Sequence, residues 1–263
     1  MSVLDKINTN TLKEVEERKA KVSVAELEAS TYFGRETYSL KNSLLTSNNF
    51  GIISEVKMKS PSKGIINAKV TPQEVGEGYY KAGASAISVL TDFEYFGGKM
   101  EYLTAVRERV EIPVLRKDFI LTEYQIIEAK SIGADVILLI AASLEPKRLE
   151  ELAKFAHSLG LEVLMEVHNL EELEVSLNPH LDVVGVNNRN LKTMEVSVQT
   201  SLDLVDKIPS EFTKISESGL TDGATIRSLI DAGYKGFLIG ETFMKTANPP
   251  AALAELITNI RNS

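Results

Sequence analysis

The sequence predicts an α/β protein: one closed (β/α)₈ TIM barrel over 1–263, with a helical N-terminal extension over 1–45 packed on it. Three observations predict this. Eight short β-branched runs alternate with eight longer amphipathic stretches. No linker, composition break or low-complexity segment divides the series. Gly83, Gly133, Gly160 and Gly233 each follow a helical stretch, where a left-handed terminal residue is expected.

Before the alternation begins, the first 45 or so residues read as helical. Thr11 with Glu14, and Ser23 with Glu26, each make a capping-box pattern there. The β-branched runs then fall at 51–56, 86–90, 114–116, 135–140, 162–166, 182–186, 214–217 and 236–239. Between and after them the helical patterns occupy 72–82, 100–110, 122–131, 145–159, 170–176, 198–207, 222–232 and 250–260. An open doubly wound sheet is the competing fold, but its Gly-x-Gly-x-x-Gly fingerprint is absent. Gly76 and Gly78 lie inside a helical pattern with no third glycine in place.

Composition narrows the partners. The chain is 43% hydrophobic and 25% charged with a net charge of −8, which argues against a nucleic-acid or anionic-membrane surface. It has no cysteine, hence no disulfide framework, thiol nucleophile or thiolate metal site. The N-terminus has no apolar run of signal or membrane length, so the reading is a cytoplasmic protein with a small-molecule partner, and a monomer is compatible with it.

In a barrel all strands exit at one end, and the chemistry sits there. The exits carry Glu55 and Lys57; Arg116, Lys117 and Asp118; Glu166; Asn187, Asn188 and Arg189; Glu217, Ser218 and Gly219; and Gly240 and Glu241. Parallel strands buried on both faces are normally continuous apolar runs, so charge at so many ends points to a shared mouth. The period of two puts Glu55 and Lys57 on one face, groups Lys117 with Leu115 and Phe119, and groups Asn187 with Arg189. The bland counterpart is a ring of salt bridges closing the barrel top. Two exits, Ser216-Glu-Ser-Gly219 with the helix start near Asp222, and Gly240-Glu241, read as a phosphate cradle of backbone N–H groups. The Glu241 carboxylate would repel phosphate, so its N–H is expected to face the ligand and its side chain to turn away.

Other features are quieter. His157, His168 and His180 show no metal-ligand spacing, although His168 lies two residues past Glu166. The 145–151 segment reads as a solvated helix start, Tyr79 and Tyr80 as packing, and Asp92, Phe93 and Phe96 as a loop able to cover the mouth.

Glu55-Val-Lys57 through Ser60-Pro-Ser-Lys-Gly64, Leu115-Arg-Lys-Asp-Phe119, Leu164-Met-Glu166, Val186-Asn-Asn-Arg189 and Ser216-Glu-Ser-Gly219 together resemble the indole-3-glycerol phosphate synthase family. The likeness runs in family order from the extension to the last helix. It implies ring closure of 1-(2-carboxyphenylamino)-1-deoxy-D-ribulose 5-phosphate to an indole, with loss of carbon dioxide and water. It also implies Lys117 as general acid and Glu166 as general base, with Glu55, Lys57, Asn187, Arg189 and Glu217 assisting. Ser60, Ser218, Gly219, Gly240 and Glu241 would line the substrate and phosphate site, and Phe119 would contact the aromatic ring. One residue departs from the pattern: Met58 stands where the family often has a base.

For this chemistry the ketone must be polarised by an acid before the ring carbon attacks it. An ordinary lysine is a weak donor, and crowding Lys57 against Lys117 is expected to lower one of them. The cationic ring-closed intermediate is its own electron sink, so the expected cofactor and metal complement is none. Two alternatives stand beside this reading. Another phosphosugar barrel such as phosphoribosylanthranilate isomerase would share the cradle, but that resemblance calls for a catalytic cysteine. A barrel that binds a phosphorylated ligand without turnover is the other.

Overall fold

The computed structural model describes residues 3–60, 64–191 and 193–263. Three helices open the chain: α1 (Val3–Lys19), α2 (Val24–Glu28) and α3 (Leu40–Leu45). Eight parallel strands follow: β1 (Ile52–Val56), β2 (Ala86–Leu90), β3 (Val114–Lys117), β4 (Val136–Ile140), β5 (Glu162–Val167), β6 (Val183–Asn187), β7 (Thr213–Glu217) and β8 (Gly236–Ile239). Neighbours in sequence pair in space, and β1 closes the barrel on β8 with Ile53 opposite Leu238. The helices between them are α4 (Pro72–Lys81), α5 (Met100–Arg107), α6 (Glu123–Ser131), α7 (Pro146–Ser158), α8 (Leu170–Ser176), α9 (Gln199–Leu204) and α10 (Gly223–Ala232). After β8 come the short α11 (Glu241–Met244) and α12 (Pro249–Asn262).

Strand periodicity sorts the core into two layers. Inside the barrel, Ile53, Ala86, Leu115, Val136, Leu138, Leu164, Val183, Ile215 and Leu238 form one cluster. Their chain neighbours, such as Ile52, Ile87, Val114, Ile137, Val163 and Val184, face outward and pack on the helices through Val75, Leu103, Ile126, Leu149 and Ile226. Local signals set the helix limits. Thr71 and Thr122 begin α4 and α6 with capping boxes, Pro146 occupies the first turn of α7, and Gly233 ends α10 at φ 118°.

The extension is tied to the barrel at both ends. At the floor, Leu40 and Leu44 join the interior cluster, and the Ser39 hydroxyl and the Lys41 N–H both donate to Glu162 at the start of β5. Nearby, the fully buried Asp135 accepts from Arg35 (2.6 Å), Arg107 (2.6 Å), and the backbone of Tyr38 and Val114 (2.8 Å each). Nearer the mouth, Arg18 of α1 reaches Glu128 of α6 at 2.7 Å.

Several expectations change in detail. Thr11 caps nothing; it is buried within α1, whereas Ser23 and Glu26 do form their capping box. The stretch over 100–110 ends as a helix at Arg107, whose guanidinium turns inward to Asp135 and to the carbonyls of Val110 and Ile112. The stretch over 198–207 tightens after Leu204 into a 3₁₀ turn, Val205–Lys207. A two-stranded antiparallel ribbon, Lys59–Ser60 with Gly64–Ile65, and the one-turn α11 are additions. Pro61, Ser62 and Lys63 of the first-strand motif lie outside the described residues.

Asp135→Ala removes the carboxylate while leaving Arg107 buried. The expected result is a loss of about 3–5 kcal/mol in unfolding free energy, read as a lower urea midpoint at unchanged slope; a loss below about 1 kcal/mol would show that the ion cluster does not hold the floor together.

Candidate active site

At the carboxyl ends of β1, β3, β5 and β7 the inward row changes from apolar to charged, and that of β6 ends in Asn187. Lys117 ends β3, and its ammonium donates to Glu166 Oε2 of β5 at 2.7 Å and to Glu217 Oε2 of β7 at 2.7 Å. Asn187, the last residue of β6, donates to Glu166 Oε1 at 3.1 Å. From β1, Glu55 pairs with Lys57 at 3.3 Å, as the period of two requires. Lys57 also lies 5.5 Å from the centre of the Phe96 ring, and Phe96 stands 6.2 Å from Phe119. Lys117, Glu166, Glu217 and Asn187 are thus brought into one constellation, with the Glu55–Lys57 pair and the two aromatic rings at the neighbouring strand ends.

Two glycines make room for the buried carboxylates. A Cβ on Gly185 would stand 2.5 Å from Glu217 Oε1, and one on Gly240 would stand 2.4 Å from Glu55 Oε1. Both positions belong to the inward rows, so the absent side chains are volume that the acids occupy.

Protonation follows from this crowding. Burial alone would push the Lys117 ammonium down, but Glu166, Glu217 and Glu55 overcome it and hold the group above the ordinary lysine value. This corrects the expectation of a lysine lowered by a neighbouring lysine: the nearest charges to Lys117 are carboxylates. Burial would raise Glu166, yet Lys117 and His168 hold it well below the carboxylate range. Glu217 is pushed up to about 7, by burial first and then by Glu166 and Glu55, against the pull of Lys117.

Not every charge at the exits enters the mouth. Arg116 and Asp118 flank Lys117 in sequence and therefore face the helices. Arg116, only 1% exposed, donates to Asp118 (2.9 Å) and to the Gln125 carbonyl (2.8 Å), and it lies 3.4 Å from Glu128. Asn188 is likewise structural, bridging Ser216, the Ser218 carbonyl and Ser201. Ser60 sits in the ribbon with its buried hydroxyl unpartnered among the described residues. Arg189 is half-buried, and its backbone N–H donates to Asn187 Oδ1.

At the seventh exit, Ser218 (φ 68°) and Gly219 (φ 74°) are successive left-handed residues, and the Ser218 carbonyl is pinned by Asn188. Thr242 donates to the Leu220 carbonyl and so ties the seventh exit to the eighth, where Gly240 and Glu241 lie. At the helix start, the Asp222 carboxylate caps α10 by accepting from Thr225 N–H. Gly185 and Thr242 were not among the expected site residues; a glycine inside a buried strand was the one available signal. Among the described residues, no group of three or more His, Cys, Asp or Glu is arranged to hold a metal ion, and no helix is long and apolar enough to cross a membrane.

A closed barrel with an ammonium between two carboxylates at its carboxyl end places ionisable groups where enzymes of the TIM-barrel class carry their chemistry. Solved structures with this fold include 3-hexulose-6-phosphate synthase from Salmonella typhimurium, with a TM-score of 0.64 and 11% identity over 81% of this chain and 99% of that one. Thiamine phosphate pyrophosphorylase from Pyrococcus furiosus is also similar, with a TM-score of 0.58 and 15% identity over 82% of this chain and 97% of that one. These likenesses concern the fold alone. Residues 4–256 match the family described as indole-3-glycerol phosphate synthase. An indole-3-glycerol phosphate synthase of Bacteroides thetaiotaomicron is 43% identical over 259 residues, covering 98% of this chain and 99% of the relative. One of Burkholderia vietnamiensis is 41% identical, covering 91% and 92%. The chain belongs to the indole-3-glycerol phosphate synthase family.

Two outcomes test the geometry. Gly185→Ala should displace Glu217 and lower turnover by about tenfold or more with the fold retained; near-normal turnover would mean that the Glu217 position is unimportant. Asp92, buried at the rim, has its carboxyl pushed up to about 6 by burial and Asp118 while accepting from the N–H groups of Tyr95 and Phe96. Its folded pKa exceeds its unfolded value, so the folded state binds more protons between about pH 4 and 6 and stability falls as pH rises through that window. Asp92→Asn keeps the acceptor without the charge. Its thermal midpoint should match the parent near pH 4 and exceed it above pH 6; equal midpoints at both values would refute the buried charge.

Proposed function

We infer that the protein is a carbon–carbon lyase that closes 1-(2-carboxyphenylamino)-1-deoxy-D-ribulose 5-phosphate to indole-3-glycerol phosphate, releasing carbon dioxide and water, in tryptophan biosynthesis. The observation that carries the reading is the Lys117 ammonium 2.7 Å from both Glu166 and Glu217 in the mouth of a barrel of this family.

In this reading Lys117 is the general acid. Its carboxylate neighbours keep it protonated, so it meets the substrate ketone with a proton in place and polarises the carbonyl while the ring carbon bearing the carboxylate attacks. Decarboxylation of the resulting cation restores the aromatic ring. The hydroxyl left at the former ketone then departs as water with a second acid-assisted step, and Glu166 takes the proton that must be lost to complete the indole. Glu217, with a carboxyl near neutrality and 2.7 Å from Lys117, is suited to return a proton to the amine. Glu55, Lys57 and Asn187 assist by charge and position. Lys57 offsets the negative charge of the substrate, and Asn187 orients Glu166.

Binding is assigned on the same footing. Arg189 and Ser60 take polar groups of the substrate, and Phe119 packs on its aromatic ring beside Phe96. The backbone of Ser218, Gly219, Gly240 and Glu241 receives the phosphate, supported by the left-handed turn at 218–219 and its Thr242 tether to the eighth exit. A cytoplasmic, monomeric enzyme completes the proposal.

Lys117→Met should lower turnover by at least about 100-fold, the size expected for a lost general acid, with unchanged circular dichroism. Indole fluorescence appearing from the substrate is the readout. Near-normal turnover in the variant removes Lys117 from the mechanism, and no signal from the parent protein defeats the proposed activity.

A further inference from the structure

His168 extends the inward row of β5, Glu162–Val167, one step beyond Glu166, and its side chain is only 6% exposed. Its Nδ1 stands 3.0 Å from Glu172 Oε2 on α8, and its Nε2 stands 3.3 Å from Glu166 Oε1. We propose that His168 is a positioning residue for Glu166: a doubly protonated imidazole, clamped between the Glu166 and Glu172 carboxylates, that fixes the proposed base against Lys117 and keeps it charged. The inference rests on the acid–base reading above and adds a residue to it.

The charges around the ring favour the doubly protonated state. An ionised carboxylate only accepts, so the contact to Glu172 requires a proton on Nδ1. A neutral ring would then leave an electron-rich Nε2, which has no hydrogen-bond partner among the described residues, in repulsion 3.3 Å from the ionised Glu166 Oε1 in a buried site. A second proton converts that repulsion into attraction. Glu172 is itself held firmly: its Oε2 accepts from the His168 backbone N–H at 2.8 Å, its Oε1 accepts from Asn169 at 2.8 Å, and its own N–H is capped by Asn169 at 2.9 Å. The clamp is therefore anchored at the start of α8 and reaches the reacting end through one ring. Burial opposes the charge on His168, but Glu166 and Glu172 outweigh it and raise the imidazole to about 10.

Charged and polar groups surround Glu166 from several elements. Lys117 faces it from β3, Asn187 from β6 and His168 from its own strand, while Glu217 of β7 and Glu55 of β1 reach it across Lys117. Among the described residues, His168 and Lys117 are the cationic groups that lower its pKa. Removing the imidazolium raises the Glu166 pKa, so more of the base is protonated at a given pH and the acid limb of the activity profile moves to higher pH.

The test compares the pH profiles of kcat and kcat/KM for the parent, His168→Gln and Glu172→Gln, with the substrate above. His168→Gln should lower kcat about 10- to 100-fold with KM changed less than about threefold, and should move the acid limb up by about one pH unit. Glu172→Gln should move the same limb in the same direction by less. A His168→Gln kcat within twofold of the parent together with an unmoved acid limb overturns the proposal. An independent readout needs no substrate: ¹⁵N-histidine spectra of the intact protein, with His157 and His180 assigned through their Gln variants, should show two protonated ring nitrogens on His168 at pH 8. A neutral tautomer there overturns the proposal even if activity falls. Should the parent show no turnover, the proposed activity fails instead, and the imidazole spectrum still decides whether the clamp exists.

Discussion

An ammonium can lose its water inside a barrel only where carboxylates replace it. Lys117 meets that condition through Glu166 and Glu217, each 2.7 Å away and contributed by different strands. The cost of stripping water from any one of these ions is several kcal/mol, and only the others offset it, so the three are interdependent in position and in charge. Their separations are set by the registers of β3, β5 and β7, which the rest of the barrel holds fixed. Glycine at 185 and 240 is part of the same requirement, because the acids need volume as well as partners.

Strand alternation divides the labour between adjacent residues. Leu115, Lys117 and Phe119 face the barrel axis, whereas Arg116 and Asp118 turn to the helices and join Glu128, which Arg18 reaches from α1. A five-residue segment thus carries an element of the site and, between those positions, a buried ion network fastening α6 and the extension to β3. Thr91 donates to Asp118 at 2.6 Å and brings the β2 exit into that network, close to the loop that places Phe96 beside Phe119.

Much of this was legible in the sequence for physical reasons. The eight strands announced themselves as apolar runs too short to be helices, and charge at their ends located the mouth. What stayed hidden depended on three-dimensional neighbours. Arg116 and Asp118 look like mouth residues until the strand phase is known. Thr11 fits a cap pattern, yet α1 begins eight residues earlier at Val3 and simply contains it. The protonation of Lys117 could not be signed without knowing that its closest charges are acids rather than Lys57. The capping role of the Asp222 carboxylate at the start of α10 shows only in the folded chain. His168 was visible as an oddity two residues past Glu166, and only the arrival of Glu172 from α8 gives it a partner.

The floor of the barrel has a consequence for traffic. Leu40 and Leu44 stopper the interior from below, and the Ser39 and Lys41 contacts to Glu162 secure the stopper to a strand end. The interior is a packed core, so the charged mouth at the carboxyl ends of the strands is the face where a ligand meets the site. In the proposed reaction a phosphorylated chain enters at that mouth, and carbon dioxide, water and the product leave by it. The extension thus seals one end of the barrel while the proposed chemistry takes place at the other.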